Sequence, residues 1–455
     1  MKNGKRSSFS GKLGYVLAAA GASVGLGNIW RFPYLAAKYG GGIFLIIYIV
    51  LALTFGYTMI VAETAIGRMT RKSPVGAFKS FGKKKWLSFG GWINAVIPVL
   101  IVPYYSVIGG WVIKYLVEYF RGNAKLLAED GYFTDFISNG VSTELCFVAF
   151  CAFTLIIIFA GVQNGIERVS KIMMPILIVL SVIIAVYSVT RPGALAGVKY
   201  FLVPNVKNFS WMTVVSAMGQ MFYSLSIAMG ILITFGSYMK KDTAIEDSTR
   251  NVEIFDTGIA IMAGLMIIPA VFAFSGGDPD TLQAGPSLMF ITIPKVFQNM
   301  GFGTVIGIVF FLLVLFAAVT SSIALTESAV STFEDELGWG RKKATVLVGV
   351  IMLALGSLSS LGYGPLAGIK IIGMQFLDLF DFLTNSVMMP IAALLTSLLV
   401  SRVVGIDKIE EEIIHGESAF RRKKVFVVMI KYLCPIFAVI ILISSVANAF
   451  GWISM

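Results

Sequence analysis

Charged residues are scarce in this chain. Asp, Glu, Lys and Arg together make up only 13% of its 455 residues, whereas 57% are hydrophobic and the mean hydropathy is +0.84. Soluble domains carry about 25% charged residues. The composition therefore excludes a soluble globular domain and a disordered chain, and it predicts a protein embedded in a membrane.

Histidine and cysteine are almost absent as well. His415 is the only histidine, and it lies in a charged segment that we predict to be a solvated loop. The three cysteines, Cys146, Cys151 and Cys434, lie in apolar runs and form neither a CxxC pair nor a disulfide framework. No HExxH or GxSxG motif occurs, and no single span carries paired catalytic acids. These absences argue against a histidine-based metal site and against an enzyme.

The net charge of +11 is distributed between the apolar runs. No basic helix or aromatic platform stands apart from them, so we predict loop charge and no nucleic-acid partner. The loops predicted to lie on the same side of the membrane as the N-terminus carry most of the Lys and Arg residues. This asymmetry predicts a multi-pass protein of the cell inner (plasma) membrane, with a cytoplasmic N-terminus and an extracytoplasmic C-terminus.

Eleven apolar runs are about twenty residues long, the length that crosses a bilayer core as a helix. The sequence thus predicts an all-α polytopic membrane protein with one transmembrane domain over residues 1–455. The predicted spans are 13–37, 42–68, 88–120, 142–160, 170–190, 211–238, 254–275, 303–333, 344–362, 371–402 and 425–450.

Spans one and six are interrupted by residues that weaken a helix. Span one places Gly25, Gly27, Asn28 and Arg31 near mid-membrane, and span six carries hydroxyls and Gly230 at its centre. Interrupted helices in corresponding positions of two repeats indicate a transporter's binding site. We therefore predict a five-plus-five inverted repeat over about 11–190 and 211–404, with an extra helix over about 425–450.

Oxygen-bearing side chains within apolar spans are the next candidates for residues that bind a ligand. Thr320 and Ser321 in span eight either bond to carbonyls of their own helix or serve as ligands for a hard cation such as sodium. Asp256 lies near the predicted start of span seven, where it either faces a cavity or is a solvated helix-end residue. Glu63 and Glu327 are the other acids that we single out within apolar spans.

Five motifs resemble those of the neurotransmitter:sodium symporter family, and most closely its bacterial amino-acid branch, which includes the leucine and hydrophobic amino acid transporters. They occur in the family's order and in the expected spans, between about residues 6 and 407. The motifs are VGLGNIWRFPY at 24–34, GGG at 40–42, GQ at 219–220, TSS at 320–322 and FEDEL at 333–337.

The resemblance implies the leucine-transporter-like fold and two sodium sites, with no organic cofactor. The first sodium site would use Ser23, Asn28, Ser224 and Asp256 together with the substrate's own carboxylate. The second would use backbone carbonyls and two hydroxyls of span eight; its residues would be Gly21, Val24, Ala317, Thr320 and Ser321.

The resemblance also implies a substrate pocket that has no charged side chain in its lining. Glycine at position 25 leaves room for a substrate carboxylate, which favours a neutral, hydrophobic or aromatic amino acid. The pocket residues would be Ser23, Gly25, Leu26, Gly27, Ile101, Tyr105, Tyr223, Ser224, Ser226, Met229, Ser321 and Leu325.

Two ion pairs would close the ends of the transport path. Arg31 with Asp381 resembles the outer pair, with Tyr223 as a lid and Asp378 as a rival partner. Arg6 with Asp335 resembles the inner pair.

We therefore predict a sodium-coupled importer of neutral L-amino acids that works by alternating access as a monomer or weak dimer. A carrier of another small amine or zwitterion, or a sensor that does not transport, remains an alternative. A sodium channel would need a continuous polar pore, whereas the polar residues gather only near the midplane.

Overall fold

The computed structural model describes residues 6–276 and 285–453, and within them the secondary structure is helical, with two isolated β-bridges. The longer helices are α1 (Lys12–Ser23), α2 (Gly27–Lys38), α3 (Gly42–Thr70), α5 (Lys85–Phe120), α8 (Gly140–Phe159), α9 (Val162–Val189), α11 (Trp211–Ser224), α12 (Ile231–Tyr238), α13 (Ile245–Ser275), α15 (Gly303–Leu337), α16 (Arg341–Leu361), α17 (Phe376–Val404) and α19 (Lys423–Ala449). Shorter helices connect them: α4 (Pro74–Lys79), α6 (Ala124–Leu127), α7 (Tyr132–Ser138), α10 (Ala194–Leu202), α14 (Leu288–Gln298) and α18 (Ile406–Ile414).

Within the described residues, nine continuous helices are long and apolar enough to cross a membrane. A tenth span is the pair α1 and α2, which are bent by 54° at a short break. The predicted span over 211–238 is present as α11 and α12, which are separated by the six residues from Leu225 to Gly230. Spans one and six are thus the discontinuous ones, as predicted.

The second break is held in an unusual backbone conformation. Ser226 and Ala228 adopt φ angles of +53° and +59°, and Gly230 adopts +69°. A left-handed conformation is strained for residues other than glycine, at a cost of order 1–3 kcal/mol each. The carboxylate of Glu63 on α3 accepts the Ala228 N–H at 2.8 Å and so stabilises the unwound turn.

The broken helices are enclosed by continuous ones. Helix α1 packs against α13 and α15, α12 packs against α3, and α15 runs along α5. Both breaks lack the regular backbone hydrogen bonds of an α-helix. Backbone N–H and C=O groups at the breaks therefore need other partners in this interior. The packing therefore places free backbone polar groups and side-chain oxygens together in the middle of the molecule. The repeat limits at about 11–190 and 211–404 remain a prediction.

Candidate functional site

A small cavity of about 30 Å³ lies between the two breaks. It is lined by both broken helices and by α5 and α15. All twelve residues of the predicted substrate pocket line it, together with two that were not predicted for that pocket. The lining residues are Ala22, Ser23, Gly25, Leu26, Gly27, Asn28, Ile101, Tyr105, Tyr223, Ser224, Ser226, Met229, Ser321 and Leu325.

One end of the cavity is polar and very tightly packed. The Leu26 N–H donates to the Tyr105 hydroxyl at 3.3 Å. A Cβ atom at Gly25 would lie 2.8 Å from the Ser321 hydroxyl and 3.1 Å from the Tyr105 hydroxyl. Only glycine therefore fits at position 25 without moving these two hydroxyl groups.

The neighbouring wall is formed by helix α11. The Tyr223 ring covers Gly27, since a Cβ there would lie 2.5 Å from the ring. The Gln220 side chain donates to the Gly27 carbonyl at 3.0 Å, and the Ser226 hydroxyl donates to the Ala22 carbonyl at 2.9 Å. These contacts tie the two breaks to each other across the cavity.

A first cluster of oxygen atoms surrounds Asp256 beside the cavity. Its carboxylate accepts hydrogen bonds from the Asn28 amide at 2.8 Å, from the Ser224 hydroxyl at 2.9 and 3.1 Å, and from the Tyr48 hydroxyl at 3.0 Å. Asn28 and Asp256 are completely buried, and Ser224 is 2% exposed. Ser23, the fourth predicted member, lines the adjoining cavity.

Asp256 is not a solvated helix-end residue. Helix α13 begins at Ile245, eleven residues earlier and well before the predicted start of span seven. The alternative of a solvated helix end was wrong because the first turns of α13 are polar. The apolar pattern therefore placed the start of the span later than the start of the helix. Asp256 is instead an interior residue of a long helix that faces a cluster of hydrogen-bond donors.

A second cluster lies where α15 crosses the end of α1. The Ser321 hydroxyl is 3.2 Å from the carbonyl oxygen of Gly21 and 3.4 Å from that of Val24. The Thr320 hydroxyl donates within its own helix, to the Ala317 carbonyl at 3.2 Å. The Thr320 contact agrees with bonding inside its own helix, whereas sodium binding by these hydroxyls remains a prediction. The contacts bring Ser321 to α1, beside the other predicted residues of the second sodium site.

The end that we predict to face inward, called the inner end below, is closed by the predicted pair. Arg6 contacts Asp335 at 2.6 Å and also donates to Ser237 and Ser331. The second oxygen of Asp335 accepts the Ser73 N–H at 2.6 Å. Phe9 is buried beneath this pair, where its N–H donates to the Tyr238 carbonyl.

The opposite end, which we predict to face outward and call the outer end, is open. A cavity of about 600 Å³ reaches down to Tyr223 and is lined by Arg31, Asp378 and Asp381. Within the described chain, Arg31 makes no ion pair with either aspartate; its guanidinium lies over the Tyr223 ring, 5.4 Å from the centroid. Asp381 accepts instead from the Asn385 side chain at 2.5 Å and from the Tyr104 hydroxyl at 3.2 Å. The predicted outer pair is therefore absent from this conformation.

Four residues of this region were not predicted as site residues. Tyr48 has no signal of its own, because a tyrosine in an apolar span is typical of a helix core. Gln220 belongs to a recognised motif, and its contact with Gly27 shows that it braces the first break. Tyr104 and Asn385 donate to Asp381, and only the structure places them there.

No group of three or more His, Cys, Asp or Glu side chains suited to a metal occurs in the parts of the chain that are described. The two clusters instead combine backbone carbonyls, hydroxyls, one amide and one carboxylate. Such oxygen donors suit a hard, weakly bound cation rather than a transition metal.

Comparison with known proteins agrees with this geometry. The model of the sodium:neurotransmitter symporter family matches residues 6–126 and 125–451. An uncharacterized sodium-dependent transporter of Bacillus subtilis, YhdH, is 35% identical over 422 residues, which cover 92% of this chain and 93% of that protein. A human sodium- and chloride-dependent GABA transporter 2 is 26% identical over 90% of this chain and 75% of its own length.

A solved structure shows the same fold. The crystal structure of MhsT in complex with L-phenylalanine matches with a TM-score of 0.86 and 34% identity, over 97% of this chain and 100% of that one. The prediction of the family, of its fold and of a transporter rather than an enzyme is thus confirmed. The chain belongs to the sodium:neurotransmitter symporter family and is a multi-pass, sodium-dependent symporter.

Proposed function

We propose that this symporter imports neutral amino acids with apolar or aromatic side chains, coupled to two sodium ions. The observation that carries the proposal is the cavity between the two breaks. It joins a polar end at Gly25 and Tyr105 to an apolar end at Ile101 and Leu325, and no charged side chain lines it. An amino acid has the same division into a polar and an apolar end.

The amino acid's carboxylate fits at the end formed by the first break. The amides of Leu26 and Gly27 begin helix α2, and the N-terminal end of a helix favours an anion. The Tyr105 hydroxyl, which now accepts from Leu26, can donate to the carboxylate in the complex. Carbonyls of Ser23, Tyr223 and Ser224, with the Ser226 hydroxyl, would receive the ammonium group.

The apolar end must expand to accept a side chain. A volume of about 30 Å³ is roughly that of one water molecule in the liquid. Met229 is the residue best suited to withdraw, because its unbranched side chain adapts to different shapes. That MhsT binds L-phenylalanine in a related structure supports an aromatic or large apolar substrate.

The two oxygen clusters provide the sodium sites in this proposal. The first, around Asn28, Ser224 and Asp256, adjoins the carboxylate end of the cavity, so the substrate carboxylate completes it. The second joins α1 to α15 through Thr320 and Ser321. Sodium and amino acid that share a ligand raise each other's affinity by the same factor.

Alternating access follows from the unequal ends. The conformation described has a paired inner end and an open outer vestibule, so it is ready to receive sodium and substrate from the outer side. Binding would draw Arg31 toward Asp381 and close the vestibule. The bundle of α1, α2, α3, α11, α12 and α13 would then rock and separate Arg6 from Asp335. We place the N-terminus in the cytoplasm of a cell whose plasma membrane holds the protein, as a monomer or weak dimer.

Uptake into proteoliposomes tests the proposal. Labelled phenylalanine, leucine, alanine, glutamate, lysine and GABA are supplied with an inward sodium gradient, or with potassium in place of sodium. We expect sodium-dependent accumulation of the neutral apolar amino acids only. Accumulation of GABA, glutamate or lysine instead would refute the substrate class. Sodium-dependent binding without accumulation would identify a sensor.

A further inference from the structure

A second pocket lies at the N-terminal end of α9, far from the site described above. Its volume is about 440 Å³, and it is lined by Ser10, Gln163, Glu167, Arg168, Lys171 and Ile172. The proposed transport cycle assigns it no role. It lies at the same end of the molecule as the Arg6–Asp335 pair, because the chain between Arg6 and Ser10 runs from one to the other.

The charges of this pocket favour an anion. Glu167 is buried, and its carboxylate is already occupied by the Ser10 N–H at 2.9 Å, by the Ser10 hydroxyl and by Lys171 at 2.6 Å. Lys240 lies nearby and donates to the Ser10 carbonyl at 2.8 Å. Arg168 is exposed and has no polar partner within residues 6–276 and 285–453. Lys171 is thus paired with Glu167 and Lys240 with a carbonyl, which leaves Arg168 as the cation of this pocket that has no partner in the described part of the chain.

An apolar lane begins directly beside Arg168. Ile172, Ile176, Val179 and Ile183 follow at intervals of one helical turn and are 55%, 39%, 57% and 46% exposed. They share one face of α9, since residues three or four apart align along a helix. From position 168 to position 183 the lane is about 22 Å long at 1.5 Å per residue. A cation at the head of an apolar lane of this length matches a lipid headgroup above its acyl chain.

We propose that this pocket binds one anionic phospholipid of the leaflet on the N-terminal side. The phosphate contacts Arg168 and Lys171, the Gln163 amide supplies a further donor, and an acyl chain lies along Ile172 and Ile176. Glu167 does not repel the phosphate, because its two oxygens are turned toward Ser10 and Lys171 and are buried.

The bound lipid also stabilises the N-terminal strap, which we define as residues 6–10. Gln163 donates to the Ser8 carbonyl at 2.7 Å, and Lys171 lies 3.3 Å from the Ser10 hydroxyl. The same strap carries Arg6 of the inner pair and buried Phe9. Lipid binding at α9 therefore favours the closed inner end, whatever substrate the protein carries.

Native mass spectrometry of the full-length protein in detergent tests the site. Phosphatidylglycerol and phosphatidylcholine with identical acyl chains are added to wild type, to Arg168→Gln and to the control Lys342→Gln. Lys342 is an exposed basic residue at the start of α16, at the same end of the molecule and with no polar partner among the described residues. We expect selective retention of one phosphatidylglycerol, weakened about fivefold by Arg168→Gln and unchanged by Lys342→Gln.

Equal retention by all three proteins would overturn the site. Displacement of the lipid by soluble glycerol phosphate at equal concentration would show a free-anion site and overturn the lipid as its ligand.

A second measurement compares hydrogen exchange of the Phe9 and Ser10 amides in nanodiscs of phosphatidylglycerol and in nanodiscs of phosphatidylcholine. Phosphatidylglycerol should slow their exchange in wild type but not in Arg168→Gln, and equal rates in both lipids would overturn the coupling to the strap. Neither readout depends on transport.

Discussion

The two ends of this symporter differ in how their charged residues are paired. At the inner end Arg6 has three side-chain partners, including Asp335 at 2.6 Å. At the outer end Arg31 makes no ion pair within the described residues and lies over the Tyr223 ring, and Asp381 is bonded to Asn385 and Tyr104. The same pair of residue types is thus closed at one end and apart at the other. An alternating-access cycle requires two gates that are never open at the same time, and one closed end with one open end satisfies that requirement.

The difference also bears on how sodium would act at the second of the two proposed sites. The second oxygen cluster joins α1, which carries the N-terminal strap, to α15, which ends near Asp335. A cation there would hold the inner half of the first broken helix against the continuous helix beside it. The outer pair receives no such support until the substrate arrives. Sodium should therefore stabilise the closed inner end before the outer end closes.

Loss of the second sodium cluster should have the largest effect. Thr320→Ala removes one of two hydroxyl ligands, so we expect sodium affinity to fall about 10–100-fold and sodium-driven uptake to be lost at ordinary sodium concentrations. Uptake into proteoliposomes as a function of sodium concentration measures the change. Thr326→Ala is the matched control, because Thr326 bonds only within its own helix and to Met352. An unchanged sodium dependence in Thr320→Ala would place the cation elsewhere.

Arg6→Ala should leave the inner end without its ion pair, as the outer end is in this conformation. It leaves Asp335 with only the Ser73 N–H, so the closed inner end loses its cation, and we expect accumulation to fall about tenfold while sodium-dependent binding weakens less. Labelling of a cysteine introduced at the buried Ser237, compared with and without Arg6→Ala in that same background, follows the opening directly. Lys79→Ala, which removes the pair with Glu336 and a contact with the Trp92 ring, serves as the comparison. Equal accumulation in Arg6→Ala and wild type would mean that this pair is no gate.

Asp381→Asn should affect only the loaded protein. Because Asp381 makes no ion pair in the open conformation, its loss should leave sodium binding to the empty protein unchanged. Substrate affinity should fall by about fivefold to tenfold, since the pair with Arg31 would form on closure. Isothermal titration with and without amino acid separates the two quantities. A loss of sodium affinity in the empty protein would show that Asp381 acts before closure.

Asp378→Asn should have the smallest effect. Asp378 accepts one hydrogen bond of 3.3 Å, from the Tyr363 hydroxyl, and it is exposed at the rim of the vestibule. We expect uptake and substrate affinity within about twofold of wild type. A larger loss than in Asp381→Asn would make Asp378 the partner of Arg31.

The fold and most of the pocket were predictable because their signals lie in local sequence. Glycine clusters and polar groups in apolar spans mark the two breaks, and all twelve predicted pocket residues line one cavity. Asp256 was predicted from the family resemblance, and the structure places it against Asn28 and Ser224. Their roles in binding remain predictions until they are measured.

Other features depend on conformation or on distant contacts. The sequence identifies Arg31 and Asp381 as a pair. Whether they form an ion pair depends on the conformation that the transporter adopts. Glu63 was singled out as a buried acid, yet its partner is the backbone N–H of Ala228, which carries no sequence signal. Tyr48 reaches Asp256 from another helix, and nothing in the apolar pattern of α3 distinguishes it from core tyrosines.

Equilibrium binding of labelled phenylalanine tests the central claim most directly, because it needs no gradient and no membrane. The affinity is measured in sodium and in potassium at equal ionic strength, for wild type and for Asn28→Ala. The account predicts binding that requires sodium in wild type and is weakened at least tenfold by Asn28→Ala. Equal affinity in sodium and potassium would contradict a site that the cation and the amino acid share.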